Sequence, residues 1–215
     1  MPVLCRPRAI EYIVLAFFVI ALFLDTPVAT SVHAHGFGPP VRASRIATVI
    51  KWPGDFRFTV ALSLTLLAID RKQWRGVAVL ILSGILSGLF YTIIKWTVGR
   101  TRPFPRSGPV YPPFEFHPFP LGIAGLWKAN NQAFPSGHVC LAFATVAAMC
   151  MIFPRACAIC MLWATLIGIE RVIEGAHYPS DVVAGAIFGV LASQLAAFIV
   201  HRRFAERPLP IAGRL

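Results

Sequence analysis

The stretch WRGVAVLILSGILSGLFYTIIKW, residues 74–96, decides the fold. It is apolar between two tryptophans, and its only charged residues, Arg75 and Lys95, each lie beside one end. At a rise of about 1.5 Å per residue, a helix of this length covers roughly 33 Å, the thickness of the hydrocarbon core of a bilayer. Tryptophan is enriched at the two membrane interfaces. The stretch therefore predicts a transmembrane helix.

The composition of the whole chain agrees with a membrane protein. Of its 215 residues, 57% are hydrophobic and only 13% are charged, and the mean hydropathy is +0.69. These values are too apolar for an ordinary soluble domain. The formal net charge is +11, but no basic patch interleaved with aromatic residues is present, which argues against nucleic acid as a partner. We expect the loop cations to meet lipid headgroups, set topology or bind an anionic substrate.

Six apolar stretches predict an all-α integral membrane protein, a six-transmembrane helical bundle. The expected spans are about residues 9–29, 55–70, 74–97, 137–153, 156–172 and 180–200. They divide the chain into an N-terminal transmembrane helix with an interfacial linker (1–54), a core (55–200) that includes an outer loop (98–135), and a basic cytoplasmic tail (201–215). Small residues four apart predict close helix packing. These residues are Gly84 and Gly88 in the third span and Gly185, Gly189 and Ser193 in the sixth.

The cysteines are expected to act as small hydrophobic side chains. Four of the five lie within or beside apolar stretches, where free cysteine is common. Cys157 and Cys160 form the sequence C-A-I-C, but no βαβ pattern surrounds it. Neither a disulfide nor a metal site is therefore expected.

The first span has two interpretations. Arg6 and Arg8 precede its apolar run, and residues 32–34, Val-His-Ala, resemble a small-residue cleavage site, so the segment could be a signal peptide. A retained helix is preferred, because an even number of spans places both basic termini on one face of the membrane.

The orientation of the bundle depends on whether four cations serve a site. With both termini inside, the inner and outer segments each carry ten Lys or Arg residues. Four of the outer ones lie close to span ends: Lys95, Arg100, Arg102 and Arg171. If these four serve a site, they can be left out of the count for topology. Ten cations then lie inside and six outside, as the positive-inside rule expects.

Three polar clusters fall at span ends on the same face of this topology. They are KWTVGRTRP (95–103), PSGH (135–138) and ERVIEGAHYPSD (170–181). Taken singly, their residues have structural interpretations: Lys95 and Arg171 could be snorkelling anchors, and Asp181 could cap the sixth helix. Three ordered clusters on one face instead favour a shared pocket, because ionisable groups near membrane depth are functional candidates.

The clusters also resemble a known family. Their order and spacing are similar to the motifs of type 2 phosphatidic acid phosphatases (PAP2). The matching residues are Lys95 with Arg102-Pro103, then the PSGH sequence, then Arg171, His177 and Asp181. That family shares its phosphate site with vanadium haloperoxidases and glucose-6-phosphatase. The resemblance covers about residues 55–200 and departs at Glu170, where many members carry serine. It implies a PAP2-type membrane bundle that needs no metal and no cofactor.

The residue types suit displacement at phosphorus. The transition state spreads negative charge over equatorial oxygens, and fixed donors must be aimed at them. Lys95, Arg102 and Arg171 supply cations, and the two guanidinium groups match phosphate geometry. Ser136 can add a hydroxyl donor. Gly137 allows a backbone N–H to approach closely at the start of a helix, which is itself an anion site.

By the resemblance, two histidines divide the remaining work. His177 is the nucleophile that forms a phosphohistidine, and Asp181 accepts a hydrogen bond from its other ring nitrogen and so orients it. His138 is the general acid that protonates the leaving alkoxide and then the base that activates water. Arg100 could contact a second phosphate or a headgroup. Glu170 points about 100° away from Arg171 on a helix and is expected to tune substrate choice.

The expected function is hydrolysis of a lipid phosphate by a metal-independent phosphoric monoester hydrolase. Candidate substrates in the bilayer are phosphatidylglycerol phosphate, phosphatidic acid, undecaprenyl pyrophosphate and lipid A phosphates. Two alternatives stay open: a phosphotransferase in which another lipid attacks the phosphohistidine, and a non-catalytic lipid-binding or transport protein. The expected location is a bacterial inner (cytoplasmic) membrane with the site on the periplasmic face, and no obligate protein partner is implied.

Overall fold

The computed structural model describes residues 8–42, 44–103, 115–119 and 132–204. Within these ranges the chain is helical, and β structure is limited to one isolated bridge between Arg100 and Phe116. The helices of seven or more residues are α1 (Arg8–Ala34), α2 (Arg45–Lys51), α3 (Phe56–Ile69), α4 (Trp74–Val98), α5 (Gly137–Ile152), α6 (Cys157–Ile173) and α7 (Pro179–Arg203). Much of the predicted outer loop and of the basic tail lies outside the described residues.

Six of these helices match the six predicted spans to within a few residues, so the all-α class is confirmed. Four stretches are long and apolar enough to cross a bilayer: Glu11–Ala34, Arg71–Val98, Pro154–Ile173 and Pro179–Arg203. The other two apolar helices, α3 with 14 residues and α5 with 16, are shorter. At about 1.5 Å per residue they cover only ~21 and ~24 Å. The protein is an integral membrane protein, but the count of six full spans is not exact.

Local sequence explains where the helices around the polar clusters begin and end. The Asp55 carboxylate accepts a hydrogen bond from the Arg57 N–H and caps α3. Gly99 ends α4 in the left-handed conformation (φ 59°), which favours glycine, and its N–H donates to the Lys95 carbonyl. Pro179 occupies the first turn of α7, where its missing N–H costs nothing.

Helix α5 lies between α4, α6 and α7, and its glycine-lined contact with α7 is the tightest. A Cβ atom added at Gly185 would lie 2.8 Å from the Ser136 carbonyl oxygen, and one at Gly189 would collide with the Cys140 carbonyl oxygen. The close packing predicted for these two glycines is therefore confirmed. Gly88 differs, because a Cβ there would have no neighbour within 4 Å.

Helix α1 packs one narrow face against α7. Its buried residues are Ala21, Asp25, Ala29 and Val32, spaced one helical turn apart. Large apolar side chains such as Phe17 and Phe23 are exposed on the rest of its surface, as expected for a helix in contact with lipid.

The expectation that no disulfide forms is wrong. Cys150 and Cys157 are bonded, with their Cα atoms 4.7 Å apart. The short turn at residues 153–155 brings the end of α5 beside the start of α6, and this proximity cannot be read from spacing on one helix. Cys140 and Cys160 are free.

Candidate active site

A polar cavity of about 650 Å³ opens where α4 and α6 end and α5 begins. Six of the ten predicted site residues line it: Lys95, Arg102, Gly137, His138, Arg171 and His177. The other four, Arg100, Ser136, Glu170 and Asp181, are buried around it and do not line it. Phe56, Tyr91 and Leu141 add an apolar portion to the wall. The three polar clusters are thus brought together in one cavity.

The start of α5 has the features of an anion site. The first N–H groups of a helix have no intrahelical partner, and Ser136 at the N-cap makes no side-chain cap bond. Its hydroxyl is fully buried and has no hydrogen-bond partner among the residues described. A Cβ atom at Gly137 would make ordinary van der Waals contact with the Tyr91 ring at 3.4 Å. Free N–H groups and an unengaged hydroxyl are suitable donors to phosphate oxygens.

Two of the three cations are held in place by short hydrogen bonds. The Lys95 Nζ donates to the Gln132 carbonyl at 2.7 Å. The Arg171 Nη1 donates to the Glu174 carboxylate at 2.6 Å, while its Nε is buried without a hydrogen-bond partner in the described part of the chain. Arg171 can therefore keep its Glu174 contact and donate to a ligand at the same time.

The ring of His177 is neutral, and its two nitrogens have different roles. It is almost completely buried, and Nδ1 lies 2.7 Å from the Ala133 carbonyl oxygen, which can only accept. Nδ1 therefore carries the proton, and Nε2 keeps its lone pair. Burial, followed by the charges of Arg102, Lys95 and Arg171, lowers the pKa of His177 well below its usual value.

The predicted hydrogen bond between His177 and Asp181 is not formed. The Asp181 Oδ2 lies 3.7 Å from Nδ1, beyond hydrogen-bond distance, because Nδ1 donates to Ala133 instead. Oδ2 accepts from the Tyr178 N–H at 2.8 Å, and Oδ1 accepts from the Arg100 Nη1 at 2.6 Å. Asp181 thus caps the first turn of α7, as its structural interpretation expected, and reaches His177 only through the adjoining backbone.

Arg100 does not face the cavity, so the structure gives no support to its predicted contact with substrate. The residue is 1% exposed, and its guanidinium lies 4.2 Å from the Tyr178 ring centroid. Its Nη atoms donate to the Asp25 and Asp181 carboxylates. The left-handed turn at Gly99 separates Arg100 from the face of α4 that carries Lys95.

Glu170 also lies behind the wall. It is 5% exposed, and the Arg171 Nη1 lies 3.9 Å from its Oε2. Neither carboxylate oxygen has a hydrogen-bond partner among the described residues. The neighbouring acid, Glu174, is the one that lines the cavity and holds Arg171 and Lys51. An effect of Glu170 on substrate choice would therefore be indirect.

Sequence reasoning missed the segment before α3. Lys51 lines the cavity and lies 3.4 Å from the Glu174 carboxylate. Asp55 also lines it, and its hydrogen bond with Arg57 lowers the pKa of Asp55 to about 2. Gly54 packs on the backbone of His138, where a Cβ would lie 2.8 Å from the carbonyl oxygen. No motif marks these residues, since only the fold brings them to the cavity.

Asp25 was missed as well, although the sequence contains a signal. An acidic residue inside an apolar span is a functional candidate by default. Its carboxylate is fully buried and bonded to Arg100 and Ser180, so it lies directly behind the site.

Comparisons with known proteins agree with this geometry. The model of the PAP2 superfamily matches residues 76–205. A lipid A 1-phosphatase of Rhizobium etli is 30% identical over an alignment of 216 positions that covers 90% of this chain and 87% of that protein. A second one, from Rhizobium johnstonii, is 37% identical over 148 residues, 66% of this chain and 57% of the relative's length.

A solved structure gives the same architecture. The first transmembrane PAP2 type phosphatidylglycerolphosphate phosphatase from Bacillus subtilis aligns with a TM-score of 0.61 over 90% of this chain and 97% of its own, at 21% identity. This likeness concerns the fold. Because the superfamily match spans more than half of the chain and a relative is similar along nearly all of it, the protein belongs to the PAP2 superfamily.

Proposed function

We propose that this protein is a membrane lipid phosphatase that works through a phosphohistidine on His177 and needs no metal ion. The observation that carries the proposal is the state of the His177 ring. Its Nδ1 proton is committed to the Ala133 carbonyl, so the Nε2 lone pair is available in a cavity that Lys95, Arg102 and Arg171 supply with positive charge. Family membership and the similarity to lipid A phosphatases support a phosphatase reaction.

The reaction has two displacements. In the first, His177 Nε2 attacks phosphorus, the bond to the lipid oxygen breaks, and His138 donates a proton to the leaving alkoxide. In the second, His138 takes a proton from water, whose oxygen attacks the phosphohistidine, and inorganic phosphate leaves with His177 regenerated. The cations and the N-terminus of α5 stabilise the equatorial oxygens in both transition states.

The substrate class we favour is a phosphorylated glycolipid of the lipid A type. Two relatives named as lipid A 1-phosphatases support this choice. Phe56, Tyr91 and Leu141 give the cavity an apolar side, so the acyl chains could stay in the bilayer while the phosphate reaches His177. Phosphatidylglycerol phosphate, phosphatidic acid and undecaprenyl pyrophosphate are the competing substrates.

We place the protein in a bacterial inner membrane with its cavity on the periplasmic face. Cations cluster at the helix ends opposite the cavity, where the positive-inside rule places the cytoplasm. They are Arg71, Lys72 and Arg75 before or at the start of α4, and Arg202 and Arg203 at the end of α7.

The test is phosphate release by the protein purified in detergent, with EDTA present, from these four lipids. We expect one inorganic phosphate per lipid consumed, fastest with the lipid A type substrate, and none from His177→Ala. Loss of activity in EDTA would contradict the metal-free mechanism. Lipid consumption without matching phosphate release would indicate transfer to an acceptor lipid, and no consumption of any lipid would refute the phosphatase.

A further inference from the structure

The carboxylate of Asp25 is buried in the middle of the apolar helix α1 and is fully engaged. Its Oδ1 accepts from the Ser180 N–H at 2.9 Å. Its Oδ2 accepts from the Ser180 hydroxyl at 2.6 Å and from the Arg100 Nη2 at 2.7 Å. A buried carboxylate is costly unless it is paired and hydrogen-bonded, and these three bonds meet that requirement.

Arg100 connects Asp25 to the backbone that follows His177 and to the hydrogen-bond partner of the His177 ring. Its side chain donates to Asp181, whose carboxylate accepts from the Tyr178 N–H, the residue after His177. Its backbone carbonyl accepts from the Ala133 N–H at 2.9 Å. The Ala133 carbonyl in turn accepts from His177 Nδ1 at 2.7 Å. One arginine therefore supports both the position of the His177 backbone and the direction of its ring.

Asp25 controls the geometry of this arginine. Arg100 lies between two carboxylates, with Nη2 on Asp25 and Nη1 on Asp181. Its Nη1 also donates to the Ser180 hydroxyl, and that hydroxyl donates to Asp25. Without the Asp25 carboxylate, the Arg100 Nη2 and the Ser180 hydroxyl would lose the acceptor that they share, and the guanidinium would no longer be held between two carboxylates.

We propose that Asp25 is a positioning residue for His177, and that α1 therefore contributes to the geometry of the active site. Asp25 lies outside residues 76–205, which the superfamily model matches. The inference rests on the proposed function, since it assumes that His177 is the nucleophile. Cleavage after Ala34, the outcome considered for a signal peptide, would remove Asp25 and the support it gives to Arg100.

The test compares Asp25→Asn with the wild type and with Ala21→Val, a buried position one turn away on the same face of α1. Initial rates are measured for the preferred lipid phosphate and for p-nitrophenyl phosphate, and thermal unfolding is followed in detergent. We expect kcat of Asp25→Asn to fall at least ~10-fold on both substrates, with KM within about threefold, because ring orientation affects the chemical step and not binding. Ala21→Val should keep the wild-type kcat.

A double-mutant cycle separates positioning from general stability. If Asp25 acts through Arg100, Asp25→Asn should lower kcat by a much smaller factor in an Arg100→Gln background than in the wild type. Should Asp25→Asn fail to fold, Ser180→Ala decides, because it removes the hydroxyl that donates to Asp25 and accepts from Arg100, and it leaves the Asp25–Arg100 ion pair in place. We then expect kcat to fall about threefold or more.

Each outcome bears on one claim. Three results would overturn the inference while the wild type still releases phosphate. The first is a folded Asp25→Asn protein with wild-type kcat, and the second is additive effects on kcat in the double-mutant cycle. The third, which applies if Asp25→Asn does not fold, is an unchanged kcat for Ser180→Ala. A wild type that releases no phosphate from any substrate would instead refute the proposed function.

Discussion

Replacing Arg171 with lysine tests whether the guanidinium fork, and not only its charge, is needed. In the structure Nη1 is occupied by Glu174 at 2.6 Å, and Nε is the buried donor that stays available. Lysine has a single nitrogen, which we expect to pair with Glu174 and so to leave the phosphate without this donor. Losing one preorganised donor costs about 2.7–4 kcal/mol in the transition state, or roughly 10²–10³ in kcat.

The assay is steady-state phosphate release from the preferred lipid phosphate, with Arg155→Lys as the matched control. Arg155 is exposed in the turn between α5 and α6, at the end of the bundle away from the cavity, and its replacement should leave kcat unchanged. A folded Arg171→Lys protein whose kcat stays within about threefold of the wild type would refute the role given to the fork, since charge alone would then suffice.

Three further predictions concern packing, protonation and the cysteines. Gly185→Ala should lower the unfolding temperature, since its Cβ would press on the Ser136 carbonyl at a cost of about 1–3 kcal/mol, whereas Gly88→Ala should be nearly neutral in the same melting experiment. His177 should stay neutral in the folded protein as pH falls through about 6.5, where an unfolded histidine takes up a proton. The free energy of unfolding should therefore decrease below that pH. An imidazolium pattern for His177 in ¹⁵N NMR at pH 6.5 would contradict this prediction. Mass spectrometry of unreduced, alkylated protein should find Cys150 linked to Cys157 and Cys160 alkylated; alkylation of all three would contradict the bond.

Six of the seven helices could be predicted from sequence because each is an apolar run with polar or helix-ending residues beside it, whereas the short helix α2 was not predicted. Trp74 and Gly99 mark the limits of α4 by interface preference and by a left-handed C-cap, which are local properties. The lengths of α3 and α5 were the weak point. The polar residue Asp70 ends α3, and α5 ends at Ile152 just before Pro154, which disfavours a continuing helix, so both helices end before they reach the length of a full span.

The residues that meet in the cavity could be predicted, but their hydrogen-bond partners could not. The i, i+4 spacing of His177 and Asp181 correctly predicts that they lie near each other. It cannot show that the Ala133 carbonyl, 44 positions away, takes the Nδ1 proton. Arg100 was misplaced because a motif position does not reveal the direction of a side chain after a left-handed turn.

The residues that were missed come from outside the motifs. Lys51 belongs to the segment before α3 and Asp25 to α1, and only tertiary packing brings them to the site. Asp25 could have been found by asking why an acid lies within an apolar span, whereas no comparable signal exists for Lys51.

The central claim is that His177 forms a covalent phosphohistidine, and trapping it is the most direct test. With p-nitrophenyl phosphate the leaving group needs no proton, so His138→Ala should still be phosphorylated but should hydrolyse the intermediate slowly. Protein incubated with ³²P-labelled substrate and denatured in alkali should carry label that is stable in base and lost in acid. We expect label to accumulate in His138→Ala, to be sparse in the wild type and to be missing in His177→Ala. Rapid turnover by the wild type with no label trapped in His138→Ala, or label that persists in His177→Ala, would contradict the account.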